Sequence, residues 1–261
     1  MSRTVIALYR YPVKGLSAES LASVQLQRGC ALAHDRQFAI AHCHSKYQPQ
    51  QPAWVARRNF TVLAYSPAIA RVVSHFDAAR RCITLVLDQQ TFEIFVDHAD
   101  VNQQLNNAMQ VLDTDSQPGP YTLAEVQHGA LTDSPAPLIS LMNTRSLHDL
   151  QEKTGHELSP QRFRGNVWFD GDSAWEERLW PGRVMLLGNL QIKVIEQIIR
   201  CAAIDVHPTE GLRDIALLRK LNGIYGHSHF GVLAEVLQSG RLAVGDTLTG
   251  DQSNHVGSLG I

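Results

Sequence analysis

A single cysteine late in the chain, Cys201, carries the clearest chemical signal in the sequence. It directly follows Arg200, where an apolar segment (190–199) gives way to a loop marked by proline and glycine. Cationic neighbours favour a thiolate, and only the thiolate is a good ligand for a soft or high-valent metal. Since no histidine or second cysteine stands at ligand spacing, the local sequence does not form a zinc site. Two interpretations remain open: a packed, inert thiol, or one metal ligand whose co-ligands come from elsewhere.

Basic residues recur near the ends of predicted strands. Arg162 and Arg164 flank Phe163 at the entrance to a strand, so we expect both guanidinium groups to project to one side. Two forked donors followed by Asn166 suit a phosphate or another anion, although surface arginines with salt-bridge partners are the alternative. Three further segments carry basic residues: "YPVKG" with Lys14, "HDRQF" with Asp35 and Arg36, and "ARRNF" with Arg57 and Arg58. Each could be a solvated charge, but together they suggest a basic pocket.

Length and composition fit a globular protein of 261 residues, enough for one large domain or two small ones. A net charge of −2 with interspersed signs argues against binding nucleic acid by bulk electrostatics, yet allows a local basic pocket. The sequence has no apolar run of about 20 residues, no secretory leader and no disulfide pattern among its four cysteines. We therefore expect a cytoplasmic protein that engages neither membrane nor nucleic acid.

Hydrophobic periodicity predicts a strand-rich α+β chain rather than repeated βαβ units. Strands are predicted within the segments 4–13, 19–30, 36–43, 61–97, 166–171, 183–188, 190–199 and 242–249. Helices are predicted over 98–112 with Asp100 as N-cap, over 140–155 ending at Gly155, and over 213–223 ending at Gly223. The segment 114–129 is predicted to join two modules, because it holds proline and glycine and few large apolar residues.

Several other features have competing interpretations. Histidine pairs in "HCH" (42–44) and "HSH" (227–229) could bind a metal, but such loop histidines are more often plain polar residues. Trp168, Trp175 and Trp180 could shape a pocket, although barrel core is the safer expectation for tryptophan in strands. The common hydrolase, P-loop and dinucleotide-binding signatures are missing from the sequence.

Taken in order, the motifs resemble those of the MOSC family along nearly the whole chain, from about residue 4 to residue 249. "YPVKG", "HDRQF" and "ARRNF" are similar to its N-terminal β-barrel module, and "RFRGN", "FDGDSAWEERLW", "RC…VHPTEG" and "HFGVLAEVLQSGRLAVGDTL" to the MOSC domain. The resemblance implies a β-barrel-like module (1–120), a MOSC β-barrel domain with flanking helices (125–250) and a loose tail (251–261). A cofactor would lie in the cleft between the two modules.

In that family, the cysteine after the arginine of a C-x-R-C stretch ligates molybdenum in a pterin-dithiolene cofactor, and Cys201 holds this position here. The dithiolene would supply the sulfur ligands that the local sequence lacks. The resemblance assigns cofactor-binding roles to Lys14, Arg36, Arg57, Arg164, Asn166 and Arg200. Three positions depart from the family pattern: Ile198 replaces the first cysteine, Gly15 replaces a frequent serine, and Gly165 replaces the usual proline.

The resemblance implies a molybdenum-cofactor-dependent oxidoreductase that reduces hydroxylamines, N-hydroxylated bases or amidoximes, with Cys201 at its catalytic centre. Because no cysteine follows position 201, electrons are expected from a separate flavin or iron–sulfur protein. Two alternatives remain open. The chain could be a non-catalytic carrier of the molybdenum cofactor, or of sulfur as a Cys201 persulfide, or a family member whose cleft holds no cofactor.

Overall fold

The computed structural model describes residues 3–112, 114, 116–127 and 129–250. In these ranges the strands are β1 (Arg3–Arg10), β2 (Glu19–Leu21), β3 (Ser23–Leu26), β4 (Phe38–Ala41), β5 (Val73–Asp77), β6 (Cys82–Leu87), β7 (Gln90–Phe95), β8 (Thr122–Glu125), β9 (Ile139–Asn143), β10 (Val167–Asp170), β11 (Val184–Leu187), β12 (Leu190–Ile199), β13 (His229–Val236), β14 (Gly240–Ala243) and β15 (Thr247–Gly250). The α-helices are α1 (Val101–Met109), α2 (Thr144–Thr154) and α3 (Leu217–Tyr225).

The centre of the molecule is a closed barrel of seven strands. Their order is β10-β9-β13-β12-β11-β15-β1, and the pairing of β1 with β10 closes the ring. Alternation along each strand sends apolar side chains inward, where Val5, Leu141, Val167, Val194 and Val232 are each fully buried. The prediction of a strand-rich α+β chain is therefore confirmed.

The first strand of the chain belongs to this barrel rather than to the sheets that follow it in sequence. β1 pairs with β10 and β15, while β3 pairs with β14, so the N-terminal segment is hydrogen-bonded to the C-terminal half. The division near residues 120–125 remains a prediction, and the β1 and β3 pairings cross it.

The rest of the N-terminal half forms two small sheets and a helix. β4 pairs with β8, and β5, β6 and β7 form an antiparallel sheet on which α1 packs. Leu105 and Met109 of α1 are buried against this sheet, as the helical spacing predicts. Asp100 stands at the N-cap position, but its carboxylate accepts a hydrogen bond from the Gln104 side chain instead of capping the backbone.

Four local predictions need correction. The first five residues of the expected helix 140–155 fall largely in β9, whose residues are all buried because neighbours cover the strand on both faces and remove its alternation. The expected joint 114–129 contains β8. α3 runs past Gly223 and ends at Gly226, which adopts the left-handed conformation typical of a helix end. The strand expected over 19–30 divides into β2 and β3, because these pair with different partners.

Three other expectations have different outcomes. The loose tail predicted for 251–261 lies outside the described residues. Gly155 ends α2 in the left-handed conformation, as predicted. Every helix among the described residues is too short or too polar to cross a membrane.

The "FDGDSAWEERLW" segment contains a buried carboxylate with a structural role, that of Glu177. Glu177 has no exposed surface, and it accepts hydrogen bonds from Asn143 Nδ2 at 2.9 Å and Ser146 Oγ at 2.7 Å. Burial raises the pKa of Glu177, and the two donors offset part of that rise. The contacts fix the start of α2 against the end of β9.

Candidate functional site

A cleft of about 350 Å³ lies between the outer wall of the barrel and loops of the N-terminal half. Its lining includes each residue to which the sequence assigned a metal or cofactor role, namely Lys14, Arg36, Arg57, Arg164, Asn166, Arg200 and Cys201. The fold thus brings together side chains that are as far apart in sequence as positions 14 and 201. That these residues bind a cofactor remains a prediction.

The floor of the cleft is the outward face of three barrel strands. Glu196 of β12 lies opposite Leu233 of β13, which lies opposite Ser140 of β9. Ser140 Oγ in turn donates to Asn166 Oδ1 at 2.8 Å, which extends the row toward β10. All four residues line the cleft, whereas the neighbours of Ser140 and Leu233 along their strands point into the barrel core.

Cys201 lies at the end of β12, immediately before a 3-10 helix (Ala202–Asp205). Its side chain is half-buried and free of any disulfide. Burial alone would lower the pKa of Arg57, but Cys201 first and then Asp133 outweigh burial and raise it. The Arg57 guanidinium is therefore a stable positive charge in the electrostatic range of the thiol.

Arg200 faces backbone oxygens. Its Nε and Nη2 donate to the Phe230 carbonyl at 2.9 and 2.6 Å, and Nη1 donates to the Phe163 carbonyl at 2.7 Å. Burial lowers the pKa of Arg200 to about 9, and the nearby Cys201 opposes that shift. Arg200 thus anchors the end of β12 and contributes charge to the cleft from behind Cys201.

Two guanidinium groups enclose the ring of Tyr11. Arg36 and Arg164 lie 4.3 and 4.4 Å from the centre of that ring, on whose electron-rich faces cations are stabilised. Arg36 Nη2 also donates to the Arg164 carbonyl at 2.7 Å. Both arginines have positive φ, 48° and 51°, a conformation that costs about 1–3 kcal/mol and is often kept at functional sites.

The basic side chains that line the cleft carry more positive charge than the carboxylates paired with them neutralise. Among the described residues, the two carboxylates in ion pairs with them are Asp35, bound to Arg36, and Asp133. Burial, with a contribution from Arg36, lowers the pKa of Arg164 to about 10. Burial also lowers the pKa of Lys14, although Asp133 opposes this. Arg164 Nη2 is buried, and no described residue accepts a hydrogen bond from it. The cleft is therefore suited to an anion.

Asp133 is a residue of this site that sequence reasoning missed. Its carboxylate accepts from Lys14 Nζ at 2.7 Å and from Arg57 Nη1 at 3.2 Å. Burial would raise the pKa of Asp133, but Lys14 and then Arg57 lower it below its usual range. The loop is held in place nearby, where Trp54 Nε1 donates to the Thr132 carbonyl at 3.0 Å. Asp133 thus occupies a position between two cations that an anionic ligand would also favour.

We expect Asp133→Asn to tighten binding of inorganic pyrophosphate in this cleft by about fivefold at low salt. The reason is that one negative charge a few ångströms away in wet surroundings is worth about 1 kcal/mol. Isothermal titration calorimetry measures this affinity, and Asp88→Asn, which removes an exposed partner of Arg71, is the control. Weaker binding in Asp133→Asn would show instead that Asp133 positions the two cations.

The same substitution has an expected pH signature. The lowered pKa of Asp133 means that its ion pairs contribute stability above the unfolded pKa, and that this contribution disappears as pH falls through the folded value. The wild type should therefore lose more thermal stability than Asp133→Asn on acidification. Equal acid sensitivity in thermal melts would contradict this expectation.

Arg162 and Arg164 do not share one face of a strand, contrary to the prediction. Residues 160–163 form a 3-10 helix, and Arg164 follows in the left-handed conformation, so the alternation of a strand is lost. Arg162 is buried in a bidentate ion pair with Asp214, and its Nη1 also donates to the Val206 carbonyl at 3.1 Å. Both terminal nitrogens of Arg162 therefore have partners within the fold, and only its Nε has none among the described residues. Arg164 donates through Nη1 to the Leu16 carbonyl at 2.7 Å, and its terminal Nη2 has no partner among those residues.

Other candidate residues lie outside the cleft lining. Arg58 is exposed. Trp168 and Trp180 are buried in the core, and half-buried Trp175 donates to Asp149, so the interpretation as core holds for this group. The described residues contain no group of three or more histidine, cysteine, aspartate and glutamate side chains arranged for a metal.

The three departures from the family pattern have local structural reasons. Gly15 has φ of +91°, and a Cβ there would meet the Thr61 carbonyl at 2.9 Å, so a serine would be strained in this chain. A Cβ at Gly165 would lie 2.2 Å from Met142 Cγ, and Met142 contacts Arg200. Ile198 lines the cleft and packs on the apolar cluster beside it.

Family models match nearly the whole described chain. The model of the MOSC N-terminal beta barrel domain matches residues 2–124, and that of the MOSC domain matches residues 128–249. The chain belongs to the MOSC family. MOSC domains are associated with binding of the molybdenum cofactor, which agrees with the class of ligand that the cleft's charge favours.

This MOSC chain is 30% identical over 120 residues to mitochondrial amidoxime reducing component 2 of Bos taurus. The match covers 41% of this chain and 35% of the bovine protein, so it spans about a third of that relative's length. Among solved structures, YUAD of Bacillus subtilis is similar over 95% of this chain and 94% of its own, with a TM-score of 0.45 and 11% identity. YiiM of Geobacillus stearothermophilus is similar over 47% and 58%, with a TM-score of 0.34 and 21% identity.

The residues of the cleft fit a molybdenum cofactor with its anionic phosphate. Cys201 offers one soft sulfur donor, and a solitary thiolate is sufficient where an organic dithiolene supplies further sulfur ligands. The unpartnered Nη2 of Arg164 is a buried donor aimed at no protein acceptor, as a phosphate-binding group would be in the absence of its ligand.

Proposed function

We propose that this protein binds the molybdenum cofactor in the cleft, with Cys201 as the protein ligand to molybdenum, and reduces N-hydroxylated compounds. The observation that carries the proposal is the meeting, in one cleft, of a half-buried lone thiol and a buried guanidinium nitrogen, Arg164 Nη2, that has no hydrogen-bond partner among the described residues. A sulfur carrier needs an exposed thiol, so the half-burial of Cys201 favours the role of a ligand over that of a persulfide carrier. The bovine relative's name adds amidoximes as the substrate class to test.

In this proposal each side chain has a defined task. Arg164 and Lys14 bind the anionic part of the cofactor, since their buried charges are otherwise only partly compensated. Arg36 holds Arg164 in place through the Arg164 carbonyl, while Arg57 keeps a positive charge near Cys201. When bound, the cofactor supplies the two-electron redox chemistry of the reaction.

The proposed reaction is balanced by two electrons and two protons. A substrate R–NHOH, or the corresponding amidoxime, loses its N–O bond and yields the amine or amidine and one water molecule. We propose that the electrons come from a separate flavin or iron–sulfur protein. The name of the bovine relative, which calls that protein a component, supports this arrangement.

The decisive test is an anaerobic assay of the protein purified from a host that makes molybdenum cofactor. Reduced methyl viologen replaces the electron donor, and benzamidoxime is the substrate. We expect benzamidine to form with a stoichiometry of two viologen electrons per product, because each N–O cleavage consumes two. Protein that contains molybdenum and pterin but forms no amine or amidine from benzamidoxime or a hydroxylaminopurine would overturn the reductase assignment.

A further inference from the structure

The strand β12 contributes one exposed carboxylate to the lining of the cleft. Glu196 lines the cleft from β12 and is exposed, and its side chain has neither a hydrogen bond nor an ion pair among the described residues. An unpaired carboxylate at the mouth of an otherwise basic cleft is not required by the barrel, because the strand's hydrogen bonds and its inward-facing neighbours stabilise β12. Its charge is free to act on whatever enters the cleft.

Glu196 lies at a defined distance from the candidate metal ligand. It precedes Cys201 by five positions, three of them along β12, so the two Cα atoms lie at most about 16 Å apart at roughly 3.3 Å per residue. The row Glu196–Leu233–Ser140 then runs across the sheet toward Asn166, at about 4.8 Å per strand. A ligand whose reacting end lies near Cys201 can therefore extend along the floor and bring its other end to Glu196.

The surface between these two ends includes an apolar wall beside the polar side chain of Gln197. The wall consists of aliphatic side chains that line the cleft: Ala136, Leu138, Ile198, Ile199 and Leu233. Ile199 is 72% exposed, which is unusual for a large apolar residue in a strand and adds to this wall. Such a surface suits a flat hydrocarbon or aromatic body rather than a polar chain.

From this arrangement we propose that Glu196 is a specificity-determining residue, one that selects substrates with an apolar body and a cationic group at the non-reacting end. The proposal rests on the proposed function for the reaction itself. The carboxylate attracts an ammonium or guanidinium group and repels a carboxylate.

The experiment uses the purified protein with its cofactor and three matched series of aryl amidoximes. Each series carries a para substituent on one, two or three methylenes, ending in an ammonium, a methyl or a carboxylate group. We expect kcat/KM for the best ammonium compound to exceed that of its methyl counterpart by about fivefold at low salt, the upper range for an exposed charge pair. The preference should shrink in 0.5 M salt, as expected from a screening length of about 4 Å.

Two substitutions and one control isolate the effect. Glu196→Gln should abolish the preference, and Glu196→Lys should transfer it to the carboxylate series, with the methyl series unchanged in each. Glu235→Gln removes the carboxylate two positions beyond Leu233 on β13, outside the cleft lining, and should behave as the wild type. A wild type without preference, or a Glu196→Gln variant that keeps it, would overturn the inference.

The methyl series separates this inference from the proposed function. If methyl compounds are reduced and the charged series do not differ, the specificity assignment fails and the reductase assignment stands. If no series is reduced, calorimetric titration of the same protein with the amidine products tests the role of Glu196 independently of turnover. Tighter binding of the ammonium amidine, lost in Glu196→Gln, supports the role of Glu196, and equal binding refutes it.

Discussion

Replacing Cys201 by alanine is expected to reduce the molybdenum content of the purified protein from about one atom per chain to background. Cys201 is the one thiol among the residues that line the cleft, so the substitution removes the soft protein donor without an alternative nearby. The fold should survive, because the side chain is half-buried and lies outside the barrel core. The measurement is metal analysis by mass spectrometry on wild type and variant purified in parallel.

The matched control is Cys43→Ala, which removes an exposed thiol outside the cleft lining and should keep its molybdenum. Equal thermal melts of the three proteins would show that any loss is due to ligation rather than unfolding. Retention of molybdenum and pterin by Cys201→Ala would contradict the assignment of the ligand. Loss of molybdenum with retention of pterin would show that Arg164 and its neighbours hold the organic part without the thiol.

The sequence predicts the barrel best where one face of a strand is buried and the other is exposed. β12 is recognisable from its apolar alternation, because Leu190, Ile192 and Val194 are buried and the polar residues between them are not. β9 is not, because β10 and β13 flank it and α2 continues directly from Asn143, so its apolar run merges with that of the helix. Tertiary covering of both faces removes the signal on which the prediction depends.

The residues of the candidate site also differ in how well the sequence predicts them. Lys14, Arg36, Arg57 and Cys201 lie in short motifs, so the sequence indicates them before any contact is known. Asp133 has no such signal, since it meets Lys14 across 119 positions of sequence and its loop resembles any proline-containing turn. The different roles of Arg162 and Arg164 also escape prediction, because a 3-10 helix and one left-handed residue replace the expected strand.

Those two arginines provide the second large prediction. Arg164→Met is expected to weaken binding of the anionic cofactor by about 100-fold or more, since loss of a buried, hydrogen-bonded charge from its partner costs roughly 3–5 kcal/mol. The same substitution should change the unfolding free energy of the cofactor-free protein by less than about 1 kcal/mol. It removes a desolvated charge that Arg36 repels, which offsets the lost hydrogen bond to the Leu16 carbonyl.

Arg162→Met should have the opposite effects, a large loss of stability and little change in anion binding. It leaves the Asp214 carboxylate without its bidentate partner and the Val206 carbonyl without its donor, so we expect a stability loss of about 3–5 kcal/mol. Urea unfolding of the cofactor-free proteins and calorimetric titration with inorganic pyrophosphate measure the two quantities separately. If Arg164→Met were as unstable as Arg162→Met, or bound pyrophosphate within threefold of wild type, Arg164 would be a structural residue. If both expectations are met, Arg162 stabilises the fold and Arg164, two positions later, binds the ligand.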